Sequence, residues 1–248
     1  MSKKRILIIG IAAVVVIASA VIGAILRPPA VDVVIDPGHG GNDVGAQYEG
    51  RNEKDDNLDL ALLVTDNLKD MGVKVKLTRD DDTFISLEKR CKIANRRRAK
   101  LFVALHRNSA DSGKGVEIWI SSDAPQKDTA LAENILSELD EVGISKNRGV
   151  KAGYARGDGN YYVNSHTNMA SCLAEIGFIT SEEDNKLLDD NLNAYAEAIA
   201  TAYQEYTVTK KTAVLAAAFF AILNSQLTFS AISAKPFIID EAVTLRGR

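Results

Sequence analysis

Val33-Val34-Ile35-Asp36-Pro37-Gly38-His39-Gly40-Gly41, residues 33–41, is a short β-branched run that ends in a proline and a cluster of glycines. Such a run is a buried-strand signal, and the Pro-Gly pair marks the turn that leaves it. The same kind of run recurs at Val73–Leu77, Leu101–Leu105, Gly115–Ile120 and Ser171–Ile176. Between these runs, apolar residues return at helical spacing. Leu58, Ala61, Leu62, Thr65 and Leu68 do so before Gly72, and Leu131, Ala132, Ile135, Leu136 and Leu139 before Gly143. This alternation predicts an α/β fold: a single domain with a mostly parallel twisted sheet flanked by helices on both faces.

The domain expected from the pattern covers residues 29–207. Upstream, Lys3-Lys4-Arg5 precedes an uncharged apolar run from Ile6 to Leu26. At 1.5 Å per residue that run is just long enough for a bilayer core of roughly 30 Å. The basic start predicts a cytoplasmic N-terminus and an exported domain. Ala18-Ser19-Ala20 has the form of a signal-peptide cleavage site, but the apolar run continues past it to Leu26, which favours an uncleaved anchor over residues 1–28. Either reading puts the domain outside the cytoplasm. Residues 208–248 hold an uncharged stretch, Thr212 to Ala234, and a short tail. That stretch is compatible with a second membrane segment, a surface helix or an unstructured tail.

The formal net charge is −3 over 248 residues. That balance argues against a nucleic-acid partner, which a basic face would announce. Arg96-Arg97-Arg98 and Lys100 sit where a helix is expected to end, a favourable place for cations. The two cysteines, Cys91 and Cys172, fall in a helical pattern and a strand-like run and read as buried free thiols. A monomer is expected.

Ligands of open α/β sheets bind at the carboxyl ends of strands. Polar clusters follow three of the predicted strands: Asp36 to Gly41, His106-Arg107-Asn108-Ser109, and Glu175-Ile176-Gly177-Phe178. Glu53 opens the first helix, just after Asn52, a plausible N-cap. If the strands are parallel, all four groups converge on one rim. Two histidines and a carboxylate, His39, Glu53 and His106, would leave one position open for water, as a catalytic zinc site does. Zinc would bring the water pKa from 15.7 to roughly 7, and a nearby carboxylate, Glu175, could carry the proton to a leaving amine. Taken singly, each residue has a plainer reading. The histidines could be loop residues and Glu53 a favourable charge at a helix start. Glu175 alone would be a costly buried carboxylate. One metal accounts for all of them together. His166, in the polar turn Asn164–Asn168, reads as a surface residue.

These residues resemble the zinc-dependent N-acetylmuramoyl-L-alanine amidases of bacteria and phages. The resemblance covers about Val33 to Tyr203. It rests on Ile-Asp-Pro-Gly-His-Gly-Gly-Asn-Asp-Val-Gly-Ala at 35–46, Asn-Glu-Lys-Asp at 52–55 and Leu-Thr-Arg-Asp at 77–80. Arg90, Asn95, Ala-Leu-His-Arg-Asn-Ser at 104–109, Gly-Val-Glu at 115–117 and Leu-Ala-Glu-Ile-Gly-Phe-Ile-Thr at 173–180 complete it. It implies Zn2+ on His39, Glu53 and His106, with Glu175 catalytic. The implied reaction is hydrolysis of the peptidoglycan amide between N-acetylmuramic acid and L-alanine. Glu117 and Asn108 would have supporting roles. Arg107 replaces an expected small residue, which points to altered substrate contact. Ser121–Gly149 shows one helix pattern and no added inhibitory helix, so an open site is expected. A zinc peptidase acting on another wall bond, or an inactive peptidoglycan-binding module, are the competing readings.

Overall fold

The computed structural model describes residues 30–123 and 125–233. The proposed anchor at residues 1–28 lies outside them, as do residues 234–248. Six strands form one sheet: β1 (Val33–Pro37), β4 (Val75–Leu77), β5 (Leu101–Asn108), β6 (Val116–Ile120), β7 (Asn147–Ala152) and β8 (Ala170–Phe178). Their spatial order is β4-β1-β5-β8-β6-β7. β4, β1, β5 and β8 run parallel, whereas β6 is antiparallel to β8 and carries β7 alongside it. The reversal has a simple cause. Residues 109–115 between β5 and β6 are too few for a parallel crossover, which takes a dozen or more. A small hairpin, β2 (Gln47–Tyr48) with β3 (Arg51–Asn52), precedes the first helix.

Helices cover both faces, as the all-buried strands β1 and β8 require. On one face Val34, Phe102, Ala104, Leu173 and Trp119 pack with Cys91 and Ala94 of α2 (Leu87–Arg96) and Val163 of α4 (Tyr162–His166). Val33 and Ile35 alternate to the other face. There α1 (Glu53–Asp70) lies on β1, β4 and β5 and buries Leu60, Ala61, Val64 and Leu68. α3 (Pro125–Val142) packs on β6, β7 and β8. It is the one helix in the Ser121–Gly149 stretch among the described residues. Cys91 and Cys172 are buried and unbridged, as expected.

α5 (Glu182–Ser233) opens the last segment and is interrupted at Asn191, where φ is −121° and ψ 17°. The Asn191 side chain donates to the Leu187 carbonyl at 3.0 Å, entering the ladder as side chains at helix kinks do. The chain divides into two compact units between Glu205 and Tyr206. The second unit is helical to Ser233. Among the described residues no helix is long and apolar enough to cross a membrane.

Candidate metal centre

The chain leaves β1 for α1 on one face and leaves β4 for α2 on the other. The carboxyl ends of β1 and β5, side by side in the sheet, therefore flank the point where the winding reverses, the usual place for a ligand crevice. His39 lies two residues past β1 and His106 is near the end of β5. Glu53 enters from the first turn of α1, and Glu175 pairs with His106 in the β5–β8 register. A groove of about 950 Å³ opens over them, lined also by Phe84, Leu87, Tyr154, Arg156 and Tyr161.

Glu53 is the hub. Its Oε1 lies 2.8 Å from His106 Nδ1 and accepts the Arg107 N–H at 3.1 Å. Its Oε2 lies 3.2 Å from His39 Nε2 and accepts the Ala46 N–H at 2.9 Å. One ligand atom from each of His39, Glu53 and His106 lies within 4.8 Å of the others, a spacing at which the three could share one ion. Burial works against the Glu53 charge, but both histidines hold its carboxyl well below the usual range. For His39, burial opposes a charge while Glu53 and Asp43 favour it, and the net direction is upward.

Asn52 occupies the position before α1, as expected, but its side chain caps nothing. It accepts from Gln47 and donates to Asp55. The first amides of the helix are met instead by carbonyls of the preceding loop, Glu53 N–H by Ala46 and Lys54 N–H by Val44. That loop is pulled tight against the site. A Cβ on Gly45 would stand 2.6 Å from Glu53 Oε2, and one on Gly38 would stand 2.2 Å from the His106 ring.

His39 has φ of 59°, a left-handed conformation uncommon outside glycine. Several contacts enforce it. Asp43 Oδ1 lies 2.8 Å from His39 Nδ1, and Arg90 Nη2 donates to the His39 carbonyl at 2.6 Å. Arg90 Nη1 also binds buried Asp36 at 2.7 Å, while Arg79 donates to the Pro37 and Gly38 carbonyls. Asp43 and Arg90 thus hold His39 in place, yet sequence reasoning assigned them no role. The available signal was a carboxylate four residues past a histidine in a glycine-rich turn.

Glu175 sits at 8 % exposure, and its Oε2 has no hydrogen-bond partner. Burial, then the charges of Glu53 and Glu117, push its carboxyl up to about 8. Glu117, directly across the β6–β8 pair, is held in the opposite direction. Burial disfavours its charge, but Arg148, Lys151 and Trp119 donate to it at 2.6, 2.5 and 3.0 Å and keep it low. Asn108 adds a fourth contact at 2.9 Å.

His166 lies apart from this group. It ends α4, stacks on Tyr162 at 3.8 Å and is exposed. Arg107 is among the residues that line the groove, but its side chain is 1 % exposed and reaches Asp56 and Asn185. Side chains alternate along β5, so the neighbour of His106 turns to the opposite face.

The family model described as N-acetylmuramoyl-L-alanine amidase matches residues 33–205. The protein YqiI of Bacillus subtilis, uncharacterized by its description, is 38 % identical over 178 residues, which is 70 % of this chain and 84 % of that one. A solved N-acetylmuramoyl-L-alanine amidase from Clostridium difficile 630 is 32 % identical with a TM-score of 0.67, covering 74 % of this chain and all of its own. Cwp6 from Clostridium difficile is 32 % identical with a TM-score of 0.66; the match covers 71 % of this chain and 29 % of that larger one.

Proposed function

The chain belongs to the N-acetylmuramoyl-L-alanine amidase family, and we propose that it works with one zinc ion on His39, Glu53 and His106 and with Glu175 as the proton carrier. It is a peptidoglycan amidase, cutting the bond between the lactyl group of N-acetylmuramic acid and the L-alanine of the stem peptide. Its place of action is therefore outside the cytoplasm.

Two imidazoles and a carboxylate suit zinc, and the groove leaves a side open as catalytic sites do. Asp43 on His39 Nδ1 is the outer carboxylate that fixes a ligating ring, turning Nε2 towards Glu53. Bound there, zinc supplies Lewis acidity, polarising the scissile carbonyl and bringing the pKa of water to roughly 7.

Glu175 takes the proton of the attacking water and returns it to the departing amine. Without metal, burial and two neighbouring carboxylates raise its carboxyl to about 8, and a zinc charge on Glu53 would draw it down towards the neutral range that suits both transfers. Glu117 stays ionised on Arg148 and Lys151, and its charge keeps the proton affinity of Glu175 high. The observation that carries this reading is the unpartnered Glu175 Oε2, buried on the face of the sheet that also presents His106.

Residues 1–28 are read as the membrane anchor, on the strength of a basic start followed by an uncharged apolar run. The full-length protein is then expected in the membrane fraction, and deletion of residues 1–28 is expected to release it.

The test is zinc content and stem-peptide release from purified peptidoglycan for the full-length protein, His39→Ala and Glu175→Ala. About one zinc per chain with cleavage in wild type, metal lost in His39→Ala, and metal kept without cleavage in Glu175→Ala are expected. A folded wild type that binds muropeptides but cleaves none in excess zinc would restore the binding-module reading. Mass spectrometry showing a different scissile bond would restore the peptidase reading.

A further inference from the structure

Arg107 joins the two halves of the candidate metal centre from behind. Its Nη1 donates to Asp56 Oδ2 at 2.5 Å and its Nη2 to Asn185 Oδ1 at 2.7 Å. Asp56 is one turn along α1 from Glu53, and Asn185 lies on α5. Arg51 extends the network: Nε reaches both Asp56 oxygens at 2.9 and 2.8 Å, and Nη1 and Nη2 reach Asp189 at 3.0 and 2.6 Å. Two guanidinium groups thus tie β5, α1, β3 and α5 together.

The backbone explains why the tie falls here. His106 pairs with Glu175 but Asn108 pairs with Phe178, so β8 carries an extra residue opposite Arg107, with Gly177 at φ of 76°. The regular ladder lapses at that bulge, a feature common beside active sites. The Arg107 N–H turns to Glu53 Oε1 at 3.1 Å. The residue next to one ligand therefore holds the second ligand with its backbone, and the helix that carries it with its side chain.

We propose that Arg107 is a positioning residue for the metal, fixing Glu53 and His106 at the separation that zinc requires before the ion arrives. The inference rests on reading those two residues as ligands. A guanidinium fork meets two separate acceptors in one fixed geometry, which neither a small residue nor a lysine can do. Losing a direct outer partner of a metal ligand costs about 10–100-fold in metal affinity; the Arg107 side chain acts at one remove, on Asp56 of the helix that carries Glu53, so its loss belongs at the low end of that range.

The experiment is the zinc dissociation constant of the full-length protein, by competition with a chromophoric chelator, for wild type, Arg107→Ser, Arg107→Lys and Leu139→Ala. Arg107→Ser leaves Asp56 paired with Arg51, so no carboxylate is orphaned. The backbone N–H to Glu53 survives the substitution, so Arg107→Ser is expected to weaken zinc about 10-fold, with Arg107→Lys between it and wild type. Leu139→Ala, on the buried face of α3 and outside the groove lining, lowers Tm but keeps wild-type zinc affinity. Arg107→Ser within twofold of wild type, or a zinc loss matched by Leu139→Ala, overturns the proposal. Should Arg107→Ser not fold, Arg107→Lys decides by the same twofold criterion. A wild type that binds no zinc overturns the ligand reading instead, and so separates the two failures.

Discussion

Glu117 and Glu175 stand directly opposite each other on antiparallel β6 and β8, yet their surroundings drive them apart. Glu117 collects Asn108, Trp119, Arg148 and Lys151. Glu175 has an Oε2 with no partner. Like charges across a strand pair are destabilising, so one of the two is better protonated, and the partners determine which. Carboxylates separated in this way commonly divide acid–base duties between them.

Glu175→Gln is therefore expected to keep bound metal and lose about 10²–10⁴-fold in kcat, the range of a general acid–base group. Glu117→Gln should cost less in kcat and shift the pH–rate profile, because it removes a negative charge that holds the Glu175 proton. Steady-state kinetics across pH on soluble muropeptides would compare them. Equal losses with unshifted profiles would contradict the division of roles.

The same carboxyl gives a stability prediction for protein stripped of metal. Glu175 holds its proton up to about pH 8 when folded, whereas the unfolded chain gives it up near the ordinary 4.5. Stability falls as pH rises through that window, since the unfolded state loses the proton first. Glu175→Gln should thus be more stable than wild type at pH 8, by roughly 4 kcal/mol at most, with the gap closing towards pH 4.5. Urea unfolding at several pH values, with chelator present, measures it. A pH-independent gap would show that Glu175 is not the group responsible.

Gly45→Ala is expected to abolish tight metal binding while leaving most of the fold. Its Cβ would stand 2.6 Å from Glu53 Oε2 and 2.7 Å from His39 Cδ2, and its φ of +68° is unfavourable for alanine. Gly50→Ala is the control: its φ is also positive, but nothing lies within 4 Å of the added carbon. Comparing zinc content and Tm of the two separates the collision from the backbone effect.

Asp43→Ala should leave His39 in place but unoriented, weakening zinc about 10–100-fold. Chelator competition would detect the change, and wild-type affinity in this variant would remove Asp43 from the site.

Much of this architecture can be read along the chain because it is written in short-range periodicity. The runs at Val33, Leu101 and Ser171 are apolar because both faces of those strands are covered, and the helices between them announce themselves by spacing. β7 was not legible: Asn147–Ala152 is a half-buried edge strand with no apolar run to reveal it. The reversed direction of β6 was readable in principle from the short 109–115 connection, and it is what brings Glu117 beside Glu175.

The sequence by itself determined the strand–helix alternation and singled out His39, Glu53, His106 and Glu175 as the candidate ligands and proton carrier, because glycine turns and strand ends mark such residues locally. Tertiary structure alone decided which groups support them. Asp36 meets Arg90 across 54 positions, Arg107 meets Asp56 across 51, and Glu117 meets Arg148 across 31. Partnerships at those separations depend on strand order, register and the face to which each side chain alternates, and none of these is encoded in neighbouring residues. Arg107 shows the difference most clearly. Beside a histidine in the chain it looks like a substrate contact, but the two-residue repeat of β5 turns it to the far face, where α1 supplies its partner.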